Sequence, residues 1–169
     1  ANKESTPLSK RGLLDQWIIS RFNRLAADVQ GYMQGFETHK AARAIEDFVI
    51  DDFSNWYLRR SRKRLWNEEK TSDKLSGYHT MYDIFISLSQ LLAPFIPFIT
   101  EEIYQNLKTQ EMPESVHLCD YPICDTKSLN TDLEKGMEQI RALVESGRAV
   151  RSKINVTGSH PLPAATIVC

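Results

Sequence analysis

The sequence predicts an all-α protein whose helices pack as an antiparallel bundle. Apolar residues recur at spacings of three and four along several long segments, which is the period of one helix face. The seven glycines and seven prolines fall mostly between these segments, so the connections should be short. A hydrophobic content of 41% and a charged content of 25% are ordinary for a globular domain with a buried core.

Two long helices are predicted in the first part of the chain. The first should end near Gly31 and Gly35, and its apolar face comprises Leu14, Ile18, Phe22, Leu25, Val29 and Tyr32. The second should run from His39 to Trp66, with Thr38 as its N-cap. At about 1.5 Å per residue this second helix is on the order of 40 Å long. Its first half should be core, and its second half should project cations into solvent.

Three further helices and a C-terminal extension are expected. The third helix is apolar on nearly all sides, with Ser72 as its predicted N-cap, and Pro94 and Pro97 end it. A short fourth helix starts at Thr100. A fifth helix spans residues 132–154, and the side chains expected inward are Leu133, Met137, Ile140, Val144, Gly147, Val150 and Ile154. Residues 1–7 have the composition of a linker, and residues 155–169 should begin a further domain, because 165–168 favour a β-strand.

Residues 55–66, NWYLRRSRKRLW, carry the strongest functional signal. Basic side chains occupy five of the six positions from 59 to 64, namely Arg59, Arg60, Arg62, Lys63 and Arg64. The chain's net charge is −1, and residues 101–138 hold nine acidic residues against three lysines, so this cationic charge is local. A cationic helix flanked by aromatic residues suits RNA, whose phosphates are anionic and whose unpaired bases stack. A solvated helix end, or a surface that meets an acidic protein, would explain the same pattern.

Helical geometry predicts which of these basic side chains point the same way and what each group contacts. Arg59, Arg62 and Lys63 should share a face with Trp66, while Arg60 and Arg64 form an adjacent strip. Some cations should neutralise phosphates, one or two should bind neighbouring carboxylates, and Trp66 is the candidate for stacking on a base. Trp56 and Tyr57 are expected in the core or at its edge. A second, weaker basic patch is expected on the outward side of the fifth helix, comprising Arg141, Arg148 and Arg151.

Several classes of site are disfavoured. The sequence contains no GxxxxGK[ST], GxGxxG, GxSxG or HExxH motif. The adjacent carboxylates Asp51 and Asp52, and likewise Glu101 and Glu102, diverge on a helix and should be solvated or capping. Cys119 and Cys124 lack the second ligand pair of a zinc site, and an odd count of three cysteines favours a reducing compartment. The uncharged run at 84–99 is shorter than a membrane span. No catalytic residue, metal or cofactor is therefore expected in this chain.

Residues 55–66 closely resemble the NWYxRxxRxRxW motif of isoleucyl-tRNA synthetases. Three further segments resemble that family in the same order: residues 14–21 its LDxWIxSR helix, residues 92–104 its LAPFxPFxxExxY segment, and residues 116–122 its VHLxxxP loop. The resemblance covers about residues 8 to 154. Because the LAPF segment is shared with valyl- and leucyl-tRNA synthetases, the basic run is what favours isoleucine, and the equivalent domains of those two enzymes remain alternatives.

The resemblance implies the helical anticodon-binding domain of a class I synthetase over residues 8–154, preceded by a linker from a catalytic domain. It implies a cytoplasmic ligase that joins isoleucine to its tRNA with ATP and magnesium in the parent enzyme. Neither the HIGH nor the KMSKS motif of the catalytic domain occurs here, so this chain should be inactive alone. The implied partners are isoleucine tRNA and the catalytic and editing domains of the same polypeptide. The chain by itself should be monomeric and should bind no membrane.

Overall fold

A computed structural model describes residues 6–157 together with 160, 161, 164 and 166. Every regular element among these residues is helical, which confirms the predicted all-α class. The helices are α1 (Leu13–Gln34), α2 (Thr38–Asp47), a π-helix (Phe48–Leu58), α3 (Arg59–Trp66), α4 (Ser72–Leu92), α5 (Pro97–Leu107) and α6 (Thr131–Lys153). Short 3₁₀ turns lie at Leu8–Lys10, Val116–Leu118 and Thr126–Ser128. Of the predicted C-terminal strand, residues 165, 167 and 168 lie outside the described residues.

The first two α-helices form a hairpin. As predicted, α1 ends at the glycines, with Gly35 as its C-cap. Phe36 then adopts a left-handed φ of 58°, and the Glu37 N–H donates to the Tyr32 carbonyl at 2.8 Å. A left-handed residue after a helix redirects the chain while satisfying a carbonyl of the last turn. The N-cap of α2 is Glu37, and Thr38 is the first residue of the helix, so the prediction of Thr38 as the N-cap is wrong.

The predicted long second helix is continuous but not uniform. Backbone dihedrals remain right-handed helical at both junctions of the π-helix, so α2, the π-helix and α3 form one uninterrupted rod from Thr38 to Trp66. Its middle uses i→i+5 hydrogen bonding instead of i→i+4. The π-helix buries Phe48, Asp52, Phe53, Trp56 and Tyr57. Apolar positions four residues apart suit either type of helix, so their period does not reveal the π segment.

The bounds of α4 and α5 correct two sequence expectations. Thr71, not Ser72, caps α4, because its hydroxyl accepts a hydrogen bond from the Lys74 N–H at 3.2 Å. The fourth predicted helix, α5, begins at Pro97 and therefore three residues before Thr100. Proline is well suited to a first helical turn, where its missing N–H has no partner to lose.

The core lies between α1, the α2–π rod and α4. Trp17, Ile18 and Val29 of α1 are buried, and Phe22 meets Phe48 edge-on with ring centroids 5.8 Å apart. Phe53 of the π-helix stacks on Tyr57 of the same helix at 5.8 Å. It also meets Phe85 edge-on at 5.3 Å, which joins the π-helix to α4. A second cluster under α5 comprises Ile86, Ala93, Tyr104 and Val116. This packing fixes where the basic end of the rod emerges.

The chain divides into two compact units, one ending at Thr131 and the other starting at Asp132. The predicted fifth helix corresponds to α6. The prediction that its apolar side faces inward is wrong for Ile140, Val150 and Ile154, whose side chains are 51%, 57% and 58% exposed, and for Gly147, which is also exposed. Helical spacing marks one apolar face, but burial also requires an element that covers it. No helix among the described residues is long and apolar enough to cross a membrane.

Candidate nucleic-acid interface

The basic residues of α3 lie beside a groove between the end of the rod and α4. The groove has a volume of about 640 Å³, and its cationic rim is formed by Arg59 and Arg62. Asn55 supplies an amide and Trp66 and Tyr78 supply rings, while its apolar lining comprises Leu58, Leu65 and Met81. We call this the Arg62 groove. It combines stacking surfaces, hydrogen-bonding groups and positive charge, which are the features that an unpaired nucleotide requires.

Trp66 is the most exposed tryptophan of the described chain. Its side chain is 76% exposed at the last position of α3, and the Arg62 guanidinium lies 5.2 Å from its ring centroid. Burying so large an aromatic surface is normally favourable, and an exposed tryptophan beside a cation is therefore a candidate ligand contact. The opposite wall is fixed, because the Tyr78 hydroxyl donates to the Leu65 carbonyl at 3.2 Å.

Lys63 and Arg60 face a second groove, on the α1 side of α3. This groove, of about 460 Å³, is lined by Gly12, Leu13, Leu14, Arg60, Lys63, Arg64, Asn67 and Asp73. The Arg60 guanidinium carbon lies 3.5 Å from the ring centroid of the buried Trp56, which holds this arginine over the rod. The expectation that Lys63 shares the face of Arg59 and Arg62 is therefore corrected, since Lys63 lines the same groove as Arg60 and Arg64. Lys63 lies between the two strips on a helical wheel, and packing against α1 decides its side.

Arg64 differs from its four basic neighbours because its side chain is only 16% exposed. Its guanidinium donates to both carboxylate oxygens of Asp15 and to Asp73 at 3.0 Å. It also donates to the Tyr57 and Ser61 hydroxyls at 3.1 and 3.0 Å. Burial lowers the pKa of Arg64, but the hydrogen bonds and charge of Asp15 outweigh it and raise the pKa above its ordinary value. The expectation that one or two cations bind neighbouring carboxylates is thus confirmed at Arg64.

Tyr57 completes this buried cluster. Its ring is fully buried and its hydroxyl donates to Asp15 at 2.6 Å. Burial, reinforced by the adjacent carboxylate, raises the pKa of Tyr57, so the phenol stays protonated and keeps donating. Breaking a buried ion pair by removing one partner costs roughly 3–5 kcal/mol. The cluster therefore ties α1, the π-helix, α3 and α4 together at one point.

The three arginines of α6 do not form the uniform outward patch expected. Arg148 is exposed, whereas Arg141 and Arg151 are partly buried. Arg151, in the last turn of α6, donates to carbonyls of the segment that follows the helix, at Thr157 over 3.0 Å and at His160. These bonds give Arg151 a local role, because they hold the segment after α6 against the last turn of the helix.

The paired carboxylates have structural partners. Glu101 accepts hydrogen bonds from Gln105 at 2.6 Å and from the Val116 N–H at 2.9 Å, and these lower its pKa. Asp52, expected to be solvated or capping, is instead buried and pairs with Arg21 at 2.9 Å. Among the described residues no group of three potential metal ligands lies together.

Comparison with known proteins decides the family. The model of the anticodon-binding domain of tRNA ligase matches residues 15–166. This chain belongs to that family. The isoleucine–tRNA ligase of Clostridium tetani is 41% identical over 158 residues, which cover 92% of this chain and 15% of that protein. The isoleucine–tRNA ligase of Pyrococcus horikoshii is 46% identical over 149 residues, covering 88% of this chain and 14% of that protein.

This anticodon-binding domain thus spans about 15% of the length of the curated relatives that it matches. Those relatives are isoleucine–tRNA ligases, so the resemblance carried by residues 55–66 is confirmed at the level of the family and of its isoleucine members. The predicted domain boundaries at 8 and 154 stay predictions.

Sequence reasoning misses three residues that shape the interface of this anticodon-binding domain. Asp15 lies 49 positions before Arg64 and Tyr78 lies 13 positions after Leu65, each on another helix, and only the folded chain brings them to the basic run. Gly77 permits the close approach of α3 to α4, since a β-carbon there would lie 3.0 Å from the Leu65 Cδ2 atom. A glycine inside a helical pattern is a weak signal of such an approach.

Proposed function

We propose that this chain is the part of an isoleucine–tRNA ligase that binds the anticodon stem-loop of isoleucine tRNA. Holding that loop would position the distant acceptor end for ATP-dependent aminoacylation by a catalytic domain elsewhere in the polypeptide. ATP and magnesium would act in that domain and not here. The observation that carries the proposal is the exposed basic helix α3, with its exposed Trp66 beside the Arg62 groove. We further propose a cytoplasmic location and a monomeric state for this part of the enzyme.

The two sides of α3 would meet different parts of the RNA. On the Arg62 groove side, an unpaired base would stack on Trp66 while Arg59 and Arg62 contact its phosphates or its edge. On the other side, the exposed Arg60 and Lys63 would neutralise backbone phosphates. Arg64 contributes by organising α3, because its Nη1 and Nη2 groups donate to Asp15, Asp73 and two hydroxyls.

The α6 arginines would supply an additional and weaker contact. Arg148 is the strongest candidate for a phosphate because its side chain is exposed. Arg141 and Arg151 are partly buried, and we assign them a secondary part in RNA binding.

Binding of this chain to three RNAs across a salt titration tests the proposal. The RNAs are a stem-loop with an isoleucine anticodon, the same stem-loop with a valine or leucine anticodon, and an unrelated hairpin. If Arg59, Arg60, Arg62 and Lys63 each neutralise one phosphate, the logarithm of the association constant should fall with a slope of about −3 against log salt. We expect the tightest binding to the isoleucine stem-loop at every salt concentration.

Other outcomes would contradict parts of this assignment. Preference for the valine or leucine stem-loop would assign the chain to one of those ligases. Equal binding to all three RNAs would mean that other domains read the anticodon. Affinity that does not depend on salt would overturn the role of the basic helix.

A further inference from the structure

Asp15 is a buried carboxylate in the first turn of α1. Its side chain has no exposed surface, yet it is bound by residues from two other elements of the fold. Both of its oxygens accept hydrogen bonds from Arg64 of α3, one of them at 2.8 Å, and the Tyr57 hydroxyl donates to it at 2.6 Å. A carboxylate with no exposed surface does not contact an RNA on the outside of the protein. Any influence of Asp15 on RNA must therefore pass through the groups that it holds.

The group that Asp15 holds, the guanidinium of Arg64, belongs to α3. The planar guanidinium of Arg64 presents two parallel N–H donors to the two carboxylate oxygens, an arrangement that fixes angle as well as distance. Arg62 and Lys63, next to each other on α3, line different grooves on either side of this helix. Rotation of α3 about its axis would move both cations and Trp66 away from their grooves together.

We propose that Asp15 is a positioning residue for RNA binding, which holds α3 in register through Arg64 so that its cations and Trp66 face their grooves. This inference rests on the proposed function, because it concerns the same RNA. The bond between Asp15 and Arg64 thereby fixes where the end of the rod places its like charges. A site held by buried partners keeps the geometry that binding requires.

The sign of the expected effect separates positioning from long-range electrostatics. Replacing Asp15 by Asn removes a negative charge, and general Coulomb attraction would then tighten the binding of an anionic RNA. Loss of orientation would weaken it. Asp52 offers a matched control, because it is also a buried carboxylate paired with an arginine, but its partner is Arg21 of α1 and not a residue of α3.

The experiment compares the unaltered chain with the variants Asp15→Asn, Asp52→Asn and Arg64→Lys. Binding of the isoleucine anticodon stem-loop is measured by fluorescence anisotropy, well below the thermal midpoint of each variant, with helicity checked by circular dichroism. Arg64→Lys keeps the charge but not the planar fork, since an ammonium cannot bind a carboxylate through two parallel donors. We expect Asp15→Asn and Arg64→Lys each to weaken binding at least about tenfold, while Asp52→Asn leaves it unchanged.

Each outcome decides between the alternatives. Unchanged or tighter binding by Asp15→Asn and Arg64→Lys would overturn the inference and leave the proposed function intact. Equal weakening by Asp15→Asn and Asp52→Asn would also overturn it, because general destabilisation would then explain both. If Asp15→Asn does not fold, the comparison of Arg64→Lys with Asp52→Asn decides. No RNA binding by the unaltered chain would overturn the proposed function and this inference with it.

Discussion

Two tryptophans of the same continuous rod show how different the environments of one residue type can be. Trp56 is 7% exposed and is covered by the guanidinium of Arg60, whereas Trp66 is 76% exposed at the end of α3. The buried ring contributes to the core of the fold. The exposed ring contributes little to the folded state, because most of its surface remains in water.

We therefore expect Trp66→Ala to change the free energy of unfolding by no more than about 0.5 kcal/mol. The same variant should weaken stem-loop binding by about 1–3 kcal/mol, the worth of one base stacked on an aromatic ring. Urea unfolding and RNA titration of the same preparation measure the two effects. Trp56→Ala is the control, and it should lose about 3–5 kcal/mol of stability. Full RNA affinity in Trp66→Ala would show that no base stacks there.

Arg64 marks the limit of what the basic run reveals. Charge density alone predicts a cationic helix and predicts that some of its cations bind carboxylates. It does not reveal which ones, because Asp15 is 49 positions away along the chain and becomes a neighbour only when α1 packs against the rod. Arg60 and Lys63 line a different groove from their sequence neighbours Arg59 and Arg62, and tertiary packing decides this as well.

At the scale of elements, the close approach of α3 to α4 depends on Gly77. Its backbone lies so near α3 that an added β-carbon would meet Leu65 Cδ2 at 3.0 Å and Arg64 Cζ at 3.3 Å. Neither neighbour can yield easily, because Leu65 is buried and Arg64 is held by its hydrogen bonds.

Gly77→Ala should therefore destabilise the protein by about 1–3 kcal/mol through overpacking. This loss would appear although alanine favours a helix over glycine by about 1 kcal/mol. Gly31→Ala provides the matched control, since no atom lies within 4 Å of its added β-carbon, and it should stabilise α1 by about 0.5–1 kcal/mol. Urea unfolding midpoints with their m-values would measure both. Stabilisation by Gly77→Ala would show that α3 and α4 separate without cost.

The helices themselves were largely predictable, and their termini were less so. Apolar period and the glycines at 31 and 35 predict α1 to its C-cap, because local sequence determines both. The N-cap of α4 lies at Thr71, one residue before the predicted Ser72, and α5 starts at Pro97, three residues before the predicted Thr100. Several neighbouring residues can start each helix, so the sequence does not decide between them. The π-helix was not predicted, because its apolar spacing also fits an α-helix.

At the scale of the whole molecule, a net charge of −1 conceals a strong local imbalance. Four exposed cations lie on α3, and they line two grooves on either side of it. Such a concentration attracts a polyanion to one place, and the attraction weakens as salt screens it.

Replacing Arg62 and Lys63 together by Gln removes one cation from each groove. We expect weaker stem-loop binding, a salt slope smaller in magnitude by about 1.5, and unchanged helicity. Arg43→Gln with Lys127→Gln makes the same change in net charge at exposed positions outside α3 and should leave the slope intact. RNA titrations at several salt concentrations and far-ultraviolet circular dichroism measure these effects. An equal decrease in both double variants would mean that overall charge, and not α3, governs binding.

Period, composition and one dense basic run were sufficient to predict an all-α fold, the order of its helices and the position of an exposed basic segment, because these depend on residues close in sequence. The partner of Arg64, the groove of Lys63 and the exposure of Ile140, Val150 and Ile154 were decided by the tertiary structure. Each depends on which helix packs against which, and at what distance. That choice joins residues far apart in the chain, and no local pattern records it.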